Sequence, residues 1–172
     1  MFDISRSAAR AAGIALLVPA SLALPTAASA DTASSTLDVS ATVTANCTVS
    51  TSALSFGNVN TISGSNVDAT GGIAVTCTNG TAWAASAGVG SGTGASFAAR
   101  RMSSGASLLS YNLYTDSARS SVWGDGSGST ATIGNTGTGS AQNVTIYGRV
   151  GSGQTSVPAG SYGDTVSVTV TY

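Results

Sequence analysis

Residues 166–172 read Val-Ser-Val-Thr-Val-Thr-Tyr, apolar and polar side chains alternating without a break. A period of two sends successive side chains to opposite faces of an extended chain, so this segment reads as a strand with one buried face. Residues 37–43, Leu-Asp-Val-Ser-Ala-Thr-Val, repeat the pattern and stand alone ahead of the first cysteine. Between them, apolar residues recur two apart in Leu54/Phe56, Ile73/Val75/Cys77, Trp83/Ala85/Ala87/Val89, Leu109/Tyr111/Leu113 and Val144/Ile146/Gly148/Val150. A further short strand is expected around Phe97 to Met102, and the last one from about Tyr162 to Tyr172. Residues 60–70 and 153–160 read as loops, and the Gly/Ser/Thr stretch 126–139 as a long hairpin or inserted loop. No stretch beyond residue 30 carries helical spacing with conviction. Many short strands separated by Gly- and Ser-rich turns argue for an all-β sandwich or barrel.

The first thirty residues have a different character. Arg6 and Arg10 precede an apolar run that starts at Gly13-Ile14-Ala15-Leu16-Leu17-Val18 and reaches Leu24, and Ala28-Ser29-Ala30 fits the small-residue cleavage rule. Residues 1–30 are therefore expected to be a signal peptide, cleaved after Ala30. The competing reading, a membrane anchor, is disfavoured because the run falls short of the ~20 residues that a span needs. Residues 31–172 suffice for one domain with a core.

The sequence contains no Lys, Glu or His. Beyond the leader, Asp31, Asp38, Asp68, Asp116, Asp125 and Asp164 face Arg100, Arg101, Arg119 and Arg149. No basic patch with interleaved aromatics is present, which argues against a nucleic-acid partner. So little charge suits a protein whose surface is covered by copies of itself. In an exported chain the even pair Cys47 and Cys77 reads as a disulfide, worth roughly 3–4 kcal/mol on a chain-entropy model. Two buried free thiols are the alternative. Two cysteines without histidine make half a zinc ligand set, so no metal and no cofactor is expected.

Nor is an enzyme expected. A serine nucleophile would lack a His or Lys base. Asp116 and Asp125 flank Trp123, a pattern that a two-carboxylate glycosidase or a sugar-stacking site would use. The plainer reading puts both aspartates in turns and packs Trp123 on the sandwich. One carboxylate at Asp125 among glycines is too few for calcium. Arg100-Arg101 reads as a solvated edge that discourages wrong strand pairing, or less simply as an anion site. Arg149 is expected on the outer face, pairing with an aspartate such as Asp164.

Several pieces in order carry a resemblance: Asn46-Cys47-Thr48-Val49 with Leu54-Ser55-Phe56-Gly57; Gly72-Ile73-Ala74-Val75-Thr76-Cys77-Thr78; Arg101-Met102; Leu109-Ser110-Tyr111-Asn112-Leu113-Tyr114-Thr115-Asp116; Val122-Trp123-Gly124-Asp125-Gly126; Val144-Thr145-Ile146-Tyr147-Gly148-Arg149-Val150; and Pro158 through Tyr172. Together they resemble the spore coat protein U domain family, which includes the major pilins of archaic (Csu-type) chaperone–usher pili.

The resemblance implies an incomplete immunoglobulin-like β-sandwich completed by a donor strand from another subunit. It implies three parts: the signal peptide 1–30, a donor-strand extension 31–45 and a pilin sandwich 46–172. Leu37, Val39, Ala41 and Val43 would be the donor residues; Val166, Val168, Val170 and Tyr172 would line the acceptor groove; Cys47 and Cys77 would carry the family's disulfide. The implied partners are copies of itself or related pilins, a periplasmic chaperone and an outer-membrane usher. The implied place is the periplasm during assembly and then a cell-surface pilus that supports adhesion or biofilm formation. The rivals are a secreted spore-coat-like protein that folds its own N-terminal strand without polymerising, and a sugar-binding tip adhesin, for which residues 31–172 leave no room for a second domain.

Overall fold

The structure is a computed structural model that describes residues 29–172. The expected signal peptide lies, but for its last two residues, outside them. The chain divides at Ser40 into two units. Residues 29–40 form no helix or strand, and their side chains are exposed.

Residues 41–172 carry eight strands: β1 Cys47–Ser52, β2 Val67–Cys77, β3 Ala82–Ala87, β4 Arg100–Ser104, β5 Ser107–Tyr114, β6 Ile133–Thr136, β7 Gln142–Val150 and β8 Val168–Thr171. They form a five-stranded sheet, β1-β2-β7-β5-β4, and a three-stranded sheet, β6-β3-β8. Every pairing between these strands is antiparallel. The alternation seen in the sequence becomes one shared core. Ile73, Val75, Ile146, Val150, Leu109 and Leu113 of the larger sheet meet Trp83, Ala85 and Ala87 of the smaller one. The alanines of β3 let its backbone approach this layer closely, and Trp83 fills space on the same face. The β1–β2 register sets Cys47 directly opposite Cys77, and the two form the disulfide.

Two glycines shape the larger sheet. A Cβ on Gly148 would lie 2.8 Å from both methyl carbons of Leu54 and 2.9 Å from Phe56 Cζ; one on Gly71 would lie 2.9 Å from Leu54 Cβ. The chain leaves β1 and lays Leu54 and Phe56 over β2 and β7, where only glycine leaves room. Residues 53–56, where the two-apart spacing of Leu54 and Phe56 suggests a strand, therefore cross the sheet instead of extending β1.

Arg100 overturns its reading as a solvated edge residue. Its side chain is 0 % exposed. Nε and Nη2 donate to the Gly88 carbonyl (3.0 and 2.7 Å), Nη2 also to the Trp123 carbonyl (2.6 Å), and Nη1 to Asn112 Oδ1 (2.6 Å). Asn112 Nδ2 donates in turn to the Phe97 carbonyl at 2.8 Å. The planar five-donor fork of arginine satisfies carbonyls in several directions at once, which lysine cannot do. Burial lowers the guanidinium pKa. Arg101, the next residue, points the other way and donates to the Thr93 carbonyl at 3.3 Å.

Three further expectations shift. Arg149 pairs with Asp68, its cross-strand neighbour, rather than Asp164, with contacts of 2.7 and 2.8 Å, and Arg119 joins at 3.3 Å. The stretch 126–139 holds β6, because Ile133-Gly134-Asn135-Thr136 finds the free edge of β3. The last strand is only Val168–Thr171. Residues ahead of it are tied sideways: Gln154 bonds both the amide and the carbonyl of Ser110 (2.7 and 2.9 Å), which uses a side chain where a strand would use backbone.

Replacing Arg100 with Met should destabilise the fold by about 3 kcal/mol, since buried carbonyls of Gly88 and Trp123 lose their donors. Urea unfolding would measure it. Gly148→Val should cost about 1–3 kcal/mol by displacing Leu54 and Phe56, whereas the same change at exposed Gly151 should cost little.

Candidate functional site

The two sheets are unequal, and the mismatch leaves a side of the sandwich open. β1 ends the larger sheet and β8 ends the smaller one; among the described residues neither has a neighbour on its outer edge. Between these edges lies a groove of about 1140 Å³. Residues 54–62 form one bank and 155–168 the other. Ile73, Leu109, Tyr111, Leu113, Trp123 and Ile146 line its interior. These are core residues, so the groove opens onto the core itself. The free edge of β1 leaves its inward side partly open as well: Val49 pairs with fully buried Val75, yet is 39 % exposed.

The expected acceptor residues divide. Val166 and Val168 line the groove. Val170, opposite Ala85, packs against the core beside it. Tyr172 lies past the end of β8, 56 % exposed, with its hydroxyl 3.5 Å from Asn46 Oδ1. There the start of β1 and the end of β8 come together, so this end of the groove is pinched. Of the expected donor residues, Leu37, Val39 and Val43 are 84–87 % exposed, and Ala41 is exposed too. None of the four is in a strand, as an alternating segment without an edge to pair with should be.

Sequence reasoning missed most of the lining: Met102, Leu109, Tyr111 and Tyr162 read as ordinary core, and periodicity does not say which part of a core is uncovered. One polar cluster also reaches the groove. Tyr111 Oη donates to Asp164 Oδ2 at 2.7 Å, while the amide and hydroxyl of Ser91 both donate to Oδ1 at 2.7 Å. Burial works against ionisation of Asp164, but these hydrogen bonds outweigh it and hold the carboxyl below its usual range. Burial and the bond to Asp164 push the Tyr111 phenol well above its ordinary value. Asp164 thus anchors the bank that leads into β8.

The other singled-out residues are structural. Trp123 is buried, with Nε1 donating to the Ala85 carbonyl at 3.1 Å. Asp116 accepts from the amides of Ser120 and Ser121, and Asp125 from that of Ser127. Both carboxylates cap turns.

The geometry defines a class: an all-β sandwich with one side of its core uncovered between two free strand edges. Residues 33–169 match the Spore Coat Protein U domain, and the chain belongs to that family. Protein U of Myxococcus xanthus is 42 % identical over 83 residues, covering 47 % of this chain and 45 % of the relative; the match thus spans less than half of that protein. A chain in the crystal structure of the CsuC–CsuE chaperone–tip adhesion subunit pre-assembly complex, from archaic chaperone–usher Csu pili of Acinetobacter baumannii, superposes with a TM-score of 0.54 at 23 % identity, over 76 % of this chain and 40 % of that one. That likeness bears on the fold alone.

Because the Asp164 pKa is depressed in the folded state, its contribution to stability is present above the unfolded-state value near 3.9 and is lost as pH falls through the folded value. Asp164→Asn should therefore be less stable than wild type at pH 7, and the gap should close on acidification below about pH 4. Thermal melts of both proteins across that range would check it.

Proposed function

We propose that this chain is a structural subunit of a cell-surface pilus, polymerised by strand donation from one copy to the next. The observation that carries this reading is the groove, an opening onto the core bounded by two unpartnered strand edges. A groove that bares core side chains beside free edges is an aggregation hazard unless it is covered. An added strand answers both needs: its backbone pairs with an edge, and its alternate side chains fill the groove. Residues 31–45 have the composition for that role, with exposed Leu37, Val39, Ala41 and Val43 at alternate positions. Val166, Val168, Val170 and Tyr172 would receive them.

On this reading residues 1–30 direct export, 31–45 form the donor extension and 46–172 form the acceptor domain. Assembly takes place in the periplasm. A chaperone covers the groove first and an outer-membrane usher carries the growing fibre out, in line with the chaperone-bound state named for the similar solved complex. The subunit acts by holding to its neighbours and requires no chemistry of its own. The match to Protein U favours a second reading, a secreted coat protein that closes its own groove and stays monomeric.

Deleting residues 36–43 separates the two. On the pilus reading, the full chain gives a heat-labile ladder of multimers on a gel, and the deleted chain gives none, although its own groove still accepts the strand of a full-length copy. A normal ladder from the deleted chain would sink the proposal. A wild-type chain that is wholly monomeric would favour the coat reading.

A further inference from the structure

Strand donation between copies has a competitor inside each copy. A hairpin that turns at residues 44–46 would lay residues 37–43 back along the free edge of β1, and three-residue hairpin loops are common. The phase also fits. With a turn at 44–46, Val43 falls opposite Cys47, Ala41 opposite Val49 and Val39 opposite Thr51. Cys47, Val49 and Thr51 pair in turn with Cys77, Val75 and Ile73, all buried inward. Directly opposed residues share a face, so the apolar side chains of the extension would turn to the core side of the sheet. Its alternation alone does not oppose closure in cis.

Thr78 does. Its amide donates to the Asn46 carbonyl at 2.9 Å, which carries the β1–β2 ladder one step past the disulfide. Its hydroxyl accepts from the Asn46 amide at 3.1 Å, and its proton faces the carbonyls of Asn46 (3.3 Å) and Thr44 (3.4 Å). Residues 44–46 are thereby held in line with β1, and the turn that a hairpin needs would break these bonds. Thr78 is itself fixed. Cys77 beside it is tied to Cys47, Thr81 donates back to the Thr78 carbonyl at 3.0 Å, and Gly80 donates to the Gly137 carbonyl at 2.9 Å.

We infer that Thr78 is a guide residue that holds the start of β1 straight and so reserves residues 37–43 for another copy. The inference rests on the strand-donation reading and adds the device that biases it from cis to trans. Thr78 meets an amide and two carbonyls on the one segment whose direction matters.

The test compares the oxidised full-length wild type with Thr78→Val, which keeps the branched shape and the backbone amide, and with Thr78→Ser, which keeps the hydroxyl. Each is refolded at one concentration, and the monomer peak from size exclusion is taken for hydrogen exchange. In Thr78→Val the monomer fraction should rise about fivefold, the change expected for one lost hydrogen bond. Amides of residues 37–43 in that monomer should become protected, while wild type and Thr78→Ser leave them open. Near-UV circular dichroism establishes that each variant is folded; should Thr78→Val fail to fold, Thr78→Ala replaces it with the same expectation. Open amides in the variant monomer, or protected ones in wild type, overturn the guide role. A wild type that forms no multimers at all overturns strand donation instead, which is read from the elution profile and not from exchange.

Discussion

Everything distinctive about this fold follows from an inequality: five strands face three across one core. A sandwich buries its inner faces only where the sheets overlap, and here the smaller sheet stops at β8. The residues left uncovered are the same ones that hold the sheets together. Tyr111, Leu113, Trp123 and Ile146 are buried on their closed sides and line the groove on the other. The opening is therefore a missing piece of the core itself, unlike a cleft set between finished surfaces.

A gap of this size opening onto core side chains would be expected to collapse, and the polar contacts explain why the sheets stay apart. Arg100 crosses the interior to bond the carbonyls of Gly88 and Trp123, and Asn112 ties it to the segment ahead of β4. Each bond fixes a distance between elements, and buried donors cannot slide without losing partners. Asp164 does the same at the groove, holding Ser91 and Tyr111 while the chain turns into β8. Across the opening, Leu54 and Phe56 rest on the glycines of β2 and β7. Both banks are therefore anchored, and the groove keeps its width between them.

The strands that pack both faces were legible in sequence, because Ile73/Val75/Cys77 of the larger sheet and Trp83/Ala85/Ala87 of the smaller one alternate in phase with burial. The cysteine pair and the turn roles of Asp116 and Asp125 were legible for equally local reasons. Arg100 was not. Beside Arg101 it reads as charge on a surface, and its burial depends on carbonyls contributed from residues 88 and 123, which no local pattern reveals. β6 was hidden because a Gly/Ser/Thr stretch carries no alternation, and its strand exists only through the edge that β3 offers. Residues 162–167 alternate as a strand should but are pulled off by Asp164 and the bridge from Gly163 to Ser103. On the β8 side of the groove the alternation takes in Val166 and Val168, which line it, and equally Val170 and Tyr172, which lie beside it and past the strand end. The opposite bank could not be read, since Leu54 and Phe56 look the same whether they extend β1 or cross over the sheet.

The distribution of charge bears on what the open edges are for. Exposed edge strands are ordinarily blunted by lysines, inward charges or proline. β1, Cys-Thr-Val-Ser-Thr-Ser, and β8, Val-Thr-Val-Thr, have none of these. The one strand with paired arginines, β4, is the edge on the far side of the larger sheet. The short edge β6, Ile-Gly-Asn-Thr, is uncharged too, but the two edges that border the groove are where a free strand would do most harm if nothing were meant to pair there. Such an arrangement is tolerable only if the edges are occupied soon after folding, and it is useful only if the occupant is specified. Threonine and serine at the outward positions of both edges keep them soluble in the meantime without placing a charge in the path of an incoming backbone.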